Sequence, residues 1–340
     1  MSSLRVTAGL LTMAVLAVPV SLAADVDLQL ETYKPRDIVV AQYGPREGEF
    51  GLRHYDWGNL GALFFCVGSN GAVYIYDGVK GNIKVYGNEG AFVGTIKGVP
   101  KQDDPLLPDD MALAPNGDIY ILCETSGQDE RSLGHDTTTY RVFVTAAGAD
   151  TVRSVPVAVG RYLGLLTNGD RLHNAAQIRS DRAGSVYVDN LITSESFKLV
   201  DEGKVLSDSA QWASSSHAYI DRPSLAYPGR NGREEMADEP VLAHETGRVT
   251  LASRCESYLG TDSLGYIYNR SLVDAGQWAL TMITKWRPSS PAVLAVVSPM
   301  PELLTRTYGK GRWVVAADGS LYELIPTFES VRVRKWERIN

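Results

Sequence analysis

The chain has 340 residues, 33 of them basic and 40 acidic, for a formal net charge of −7 at pH 7. That balance argues against non-specific nucleic-acid binding, which needs a basic surface to displace counterions from phosphate. The three cysteines, Cys66, Cys123 and Cys255, lack the C-x-x-C or Cys/His spacing of a zinc site.

Residues 1–24 read as an export signal. Arg5 is their one charged side chain, the stretch from Val6 to Ala24 is rich in Leu, Val and Ala, and Ser21, Ala23 and Ala24 stand just before Asp25. A basic start, an apolar middle and small residues at the cut are what export and processing require. An uncleaved membrane anchor is the alternative, since the apolar run just reaches across a bilayer, although Pro19 would interrupt its helix. The expectation is a periplasmic or extracellular protein whose residues 25–340 form one domain. It is peripheral to the membrane, or anchored to it if the N-terminal segment is kept. An oxidising compartment permits one disulfide plus a free thiol, or three buried thiols. Cys66 and Cys123 fall inside apolar strands, which favours the buried state.

Next along the chain comes a short β-branched run, Asp37–Ala41, and then a repeated unit. Gly-x-aliphatic-Tyr occurs at Gly71–Tyr74, Gly117–Tyr120, Gly184–Tyr187, Gly265–Tyr268 and Gly319–Tyr322. Each copy links two strand-like runs, and Asn70-Gly71, Asn116-Gly117 and Asp318-Gly319 are favoured tight-turn pairs that predict two-residue hairpin turns. The first copy shows a whole unit of four strands: Leu63–Val67, Ala72–Tyr76, Asn82–Tyr86 and Ala91–Ile96. Comparable units follow at 111–157, 175–206 and 258–297, and a three-stranded one at 313–336. A degenerate unit fits the long gap around 213–253. Short four-stranded sheets need cover on both faces, and radial stacking supplies it. The predicted fold is all-β: a β-propeller of six four-stranded blades. Asp37–Ala41 is predicted to supply the missing fourth strand of the last blade, which closes the ring and removes its edges.

The run from Phe64 to Asp77, FFCVGSNGAVYIYD, resembles the hairpin of an NHL-type propeller repeat with its terminal aspartate. Asn82–Tyr86 followed by Gly90-Ala-Phe-Val93 resembles that repeat's third and fourth strands, and Gly48-Glu-Phe-Gly51 is similar to its glycine-rich lead-in. The resemblance implies a propeller and a habit of binding proteins, carbohydrates or small ligands. It implies no reaction, because one fold hosts many functions.

Polar groups near the ends of the inner strands are the candidates for a site at the central channel. These are Asp109 and Asp110, just ahead of Met111–Ala114; Glu124, just past the next strand; and Asp189, at the end of Ser185–Val188. The sequence requires no cofactor, but a ring of such oxygens suits calcium. It would then resemble the gluconolactonase-like or streptogramin-lyase-like propellers, which use a metal at the channel. The plainer reading makes Asp109 and Asp110 solvated strand-start residues, with Asp77 and Asp189 bracing their own turns. None of the histidines at 54, 135, 173, 217 and 244 pairs at metal-ligand spacing, and no G-x-S-x-G or phosphate-binding loop occurs. Two long polar insertions, 124–139 and 207–240, stand out. The second carries Trp212, Tyr219 and Tyr227 among charged residues, a mixture that suits a protein or glycan interface. The functional expectation is a non-catalytic binding or assembly module, with a metal-dependent lactonase, hydrolase or lyase as the alternative.

Overall fold

A computed structural model describes residues 29–30, 33–55, 58–101, 106–125, 139–146, 153–157, 176–181, 183–190, 195–202, 204–206, 241–244, 247–250, 255–274, 279–287, 290–299 and 313–339. The insertion residues Trp212, Tyr219 and Tyr227 lie outside them.

The five repeated glycines set the local structure. Gly71, Gly117, Gly184, Gly265 and Gly319 all have φ between +80° and +89°, the left-handed region that only glycine enters without a Cβ penalty. The tips differ from the two-residue turns expected. In the first, Gly71 N–H donates to Gly68 O (2.9 Å) and Gly68 N–H to Ala72 O (2.8 Å), and the other four repeat this pattern. That is a three-residue loop with glycine at its end, a common hairpin connection. The Asn or Asp before the glycine therefore does not supply a positive φ. It supplies an acceptor. Asn70 Oδ1, Asn116 Oδ1 and Asp318 Oδ1 take the N–H of Ala72, Asp118 and Ser320 at 2.9–3.1 Å. In the other two tips Asp181 and Asp262 do the same for Ser185 and Tyr266.

Four strands precede the first sheet: β1 (Gln29–Leu30), β2 (Tyr33–Gln42), β3 (Arg53–Tyr55) and β4 (Gly58–Leu60). The first sheet is β5 (Ala62–Val67), β6 (Val73–Asp77), β7 (Asn82–Tyr86) and β8 (Phe92–Ile96). The second is β9 (Leu106–Leu113), β10 (Asp118–Thr125), β11 (Thr139–Ala146) and β12 (Arg153–Val157). The third is β13 (Ala176–Ser180), β14 (Val186–Asn190), β15 (Glu195–Asp201) and β16 (Lys204–Val205). A hairpin follows, β17 (Val241–His244) with β18 (Gly247–Thr250), inside the stretch expected to hold the degenerate unit. Then come β19 (Cys255–Thr261), β20 (Ile267–Asp274), β21 (Ala279–Arg287) and β22 (Ser290–Pro299). The last group is β23 (Trp313–Val315), β24 (Leu321–Pro326) and β25 (Ser330–Arg338).

Within each four-stranded unit the strands pair antiparallel in chain order, and β2 completes the last sheet as β2-β25-β24-β23. Its register runs from Tyr33 opposite Arg338 to Gln42 opposite Ser330, so the expected ring-closing strand is present and longer than predicted. Two pairings were not anticipated: β3 with β4, and the parallel pairing of β1 with the outer strand β22.

The sheets stack through their first strands. β5 packs on β9, β9 on β13, β19 on β23, and β23 on β5, which is the radial order of a β-propeller. The alternation of side chains fills the gaps between neighbours. On β10, Ile119, Ile121 and Cys123 face the first sheet's core with Phe64, Tyr76 and Ile83. Tyr120 and Leu122 face the opposite way, onto Ile178, Val186 and Val188 of the third sheet. Val39, Ala41, Val331 and Val333 of the closing sheet pack with Phe65, Val73 and Ile75 of the first.

Candidate functional site

In every hairpin the first strand starts where the second ends, so each sheet has one rim that carries those ends. Neighbouring first strands share that direction. Ile178 N–H donates to Asp110 Oδ2 (3.0 Å) and Ser180 Oγ to Leu113 O (2.6 Å), so β9 and β13 run parallel. Ser263 N–H donates to Ala317 O (2.8 Å), just past β19 and β23. The rims therefore form one face of the ring, here termed the mouth face. Register places Asp110 opposite Leu122, Glu124 opposite Leu107 and Asp189 opposite Gln177. Asp109, Asp110, Glu124 and Asp189 therefore stand at strand positions on this rim.

Their positions differ from the sequence expectation. Asp109 and Asp110 lie inside β9 rather than ahead of it, Glu124 inside β10 and Asp189 inside β14. Nor is Asp110 solvated: it is 5% exposed. Its carboxylate takes the Ile178 N–H of the third sheet, and its charge reaches back to the Cys66 thiol of the first. The hydrogen bond thus ties the inner strand β9 to β13 of the next sheet. Burial of an anion is tolerated because the amide it meets would otherwise lose a partner of its own. Asp109 is half-buried and faces the Cys123 thiol electrostatically. Burial pushes both thiols far above the usual cysteine range, with the adjacent carboxylate adding to it. Both are free and buried, so they remain protonated and unreactive.

A second polar centre lies on the same face in the first sheet, around the aspartate that ends β6. Asp77 is fully buried. Its Oδ2 accepts from Gly51 N–H (2.9 Å), and its Oδ1 from Val79 N–H (3.2 Å) and Lys80 N–H (3.0 Å). Asp77 therefore braces its own turn as expected, and also clamps the lead-in loop. Lys84 on β7 sits beside it, Nζ 3.9 Å from Oδ2, with a side chain 1% exposed. Four consecutive lead-in carbonyls are then captured. Lys80 Nζ donates to Arg46 O (2.9 Å) and Glu49 O (2.7 Å), Lys84 Nζ to Glu47 O (2.6 Å), and Tyr86 OH to Gly48 O (3.1 Å). Burial draws the Lys84 ammonium below the usual lysine range, partly opposed by Asp77. This latch joins the ring-closing strand to the first sheet. Sequence reading found Asp77 but missed Lys84, whose role appears only when the loop from Gly44 to Gly51 folds over it.

The rest of the mouth face is defined by its connections. The strand ends that flank segments 126–138, 158–175 and 300–312 lie on this rim, as does the end of β16 ahead of residue 207. The opposite rim carries the glycine hairpins and short turns such as 87–91. Among the described residues no group of three or more His, Cys, Asp or Glu is placed to hold a metal ion.

No family model and no curated relative matches the sequence. Among solved structures, the chain is similar to a virginiamycin B lyase from Staphylococcus aureus at 11% identity and a TM-score of 0.39, over 91% of this chain and 100% of that one. It is similar to a putative gluconolactonase at 12% identity and a TM-score of 0.37, over 92% and 96%. A family 117 glycoside hydrolase from Zobellia galactanivorans matches at 10% identity and a TM-score of 0.40, over 90% of each chain. The propeller assignment rests on the strand order and inner-strand packing of this molecule, not on those likenesses.

Proposed function

We propose that this chain is an exported, non-catalytic β-propeller of six blades, NHL-like in its first repeat. It would serve as a binding or assembly module in the periplasm or outside the cell. The observation that carries the reading is the placing of strand ends: those that flank the long segments 126–138, 158–175 and 300–312 lie on one rim, and the five glycine hairpins lie on the other. Segments that leave a rigid scaffold on one side are where binding residues concentrate. Asp110 binds a backbone amide of the next sheet and Asp77 binds amides of the lead-in loop and its own turn, so the geometry of these two carboxylates serves the scaffold. A protein or a glycan is the proposed partner, met by segments 126–138 and 207–240.

The test replaces each of those two segments with a short Gly/Asn turn. The variants and the parent are then used as bait against membrane and soluble fractions. The expected result is one defined partner held by the parent and lost from a variant whose melting temperature is unchanged. Stoichiometric calcium in the purified parent, lost together with a hydrolytic or lyase activity in Asp110→Ala, would instead establish the metal-enzyme reading.

A further inference from the structure

The five glycine tips share one backbone shape but differ in the residue that stands ahead of the glycine. Asn70, Asn116, Ala183 and Asp318 hold that position in four of them, and Leu264 holds it in the tip between β19 and β20, where it is 68% exposed. The turn itself does not call for leucine. Its side-chain acceptor is Asp262, whose Oδ1 takes Leu264 N–H (2.9 Å) and Tyr266 N–H (3.0 Å), while Oδ2 takes the Tyr268 hydroxyl (2.9 Å). Position 264 is thereby released from bracing the backbone, and a large apolar side chain is held out to the surface on a pinned turn.

A second apolar side chain stands on the same corner of the ring. Ser263 N–H donates to Ala317 O (2.8 Å), which ties this tip to that of the last sheet. β25 ends on the same rim at Arg338, and Ile339 follows it, 52% exposed. The N-terminal strand enters here too. β22 starts at the hairpin rim and β1 runs parallel to it, with Gln29 opposite Val293 and Leu30 opposite Leu294, so β1 joins the ring from the hairpin-rim side. In the sequence only residues 25–28 separate β1 from the charge-free run 6–24. The five steps from Ala24 to Gln29 reach at most about 18 Å.

The charges on this corner are of both signs. Lys34 lies opposite Glu337, and Lys335 Nζ is 2.9 Å from Glu337 Oε1. Arg36 is 3.3 Å from Glu89 and 3.8 Å from Glu337. Asp318 is on the neighbouring tip, and Asp25 and Asp27 precede β1. Attraction to a charged surface is therefore not what the corner offers. It offers two exposed apolar side chains next to the entry of an apolar segment long enough to cross a bilayer.

We infer that this corner of the hairpin rim is seated on a lipid bilayer, with residues 6–24 kept as the span and Leu264 and Ile339 dipped into the headgroup boundary. The inference rests on the export reading in its anchored form. A span alone fixes the protein to the membrane without choosing a face, whereas apolar side chains buried at the interface add binding on one side only. The mouth face, on the opposite rim, then points away from the membrane.

The experiment places a photoreactive benzophenone amino acid singly at 264, 339 and 328 of the full chain. Phe328, 50% exposed, is in the turn that follows β24 on the mouth rim and serves as the opposite pole. All three positions are exposed, so the melting temperature should not move. Each chain is irradiated in phosphatidylcholine vesicles and in membranes isolated from the expressing bacterium, then read by mass spectrometry. The expected result is lipid adducts at 264 and 339, none at 328, and membrane-bound chains that keep residues 1–24. Any other pattern overturns the inference, whether a lipid adduct at 328, a cross-linked protein in place of lipid at 264 and 339, or loss of residues 1–24. Replacing segments 126–138 and 207–240 should leave the lipid adducts unchanged, which separates this test from that of the partner.

Discussion

Replacing Asp77 with Ala should be among the most damaging single changes the ring can suffer. The substitution removes the acceptor for Gly51, Val79 and Lys80 N–H and leaves the Lys84 ammonium, 1% exposed, without its anion. Stranding one member of a buried ion pair costs about 3–5 kcal/mol, and each unmet buried amide adds about 1–3 kcal/mol before relaxation. A loss of at least about 3 kcal/mol is expected from urea unfolding followed by tryptophan fluorescence. Lys84→Met should cost less, since Asp77 keeps its three amides, and the double variant should fall short of the sum of the singles. The pH dependence carries a sign. The Lys84 ammonium titrates below its unfolded value of about 10.4 because burial penalises the charged form. Between the two values the unfolded chain binds more protons, so this group makes stability rise with pH, and the gain is lost as pH falls through the folded value. The difference in stability between parent and Lys84→Met should therefore shift in the parent's favour as pH climbs toward 10. A loss below 1 kcal/mol in Asp77→Ala, or a pH-independent difference for Lys84→Met, would refute the latch.

Two further outcomes follow from the packing. Asp110→Ala leaves the buried Ile178 N–H unmet and should destabilise by about 1–3 kcal/mol, whereas Asp110→Asn, which keeps an acceptor, should lose less; equal losses in chemical denaturation would contradict the fastening role. Gly90→Ala would place a Cβ 1.6 Å from Ile38 O on the ring-closing strand at φ +84°, while Gly117→Ala meets nothing within 4 Å at φ +89°. The second change should cost about 1–2 kcal/mol from backbone strain alone, and the first should lower the melting temperature by clearly more.

Much of the fold was legible because its cause is local. A glycine at the end of a three-residue loop needs a positive φ, an Asn or Asp nearby captures the following N–H, and β-branched or aromatic residues alternate on both sides. These requirements leave marks within ten residues of one another, as in Asn70-Gly71-Ala72 or Asp318-Gly319-Ser320. The ring-closing strand was legible for a different reason: the last unit was one strand short, and Asp37–Ala41 was the unassigned run that could fill it. The turn type was misread, because the sequence pair Asn-Gly does not reveal which of its two residues carries the positive φ.

The chain's own order of residues determined the repeating hairpins, the all-β class and the places where long segments interrupt the strands. Only the tertiary structure decided what the polar residues at the mouth do. Pairing across strands sets motif tyrosines opposite lysines in three sheets, Tyr187 with Lys198, Tyr268 with Lys285 and Tyr322 with Lys335, though these pairs lie 11–17 positions apart with no fixed spacing. Packing between sheets turned Asp110 from a strand-start residue into a buried tie to the next blade. Folding of the lead-in loop brought four carbonyls onto Lys80, Lys84 and Tyr86. Burial and charge are properties of neighbours, and in a propeller those neighbours come from the next blade or from the other end of the chain.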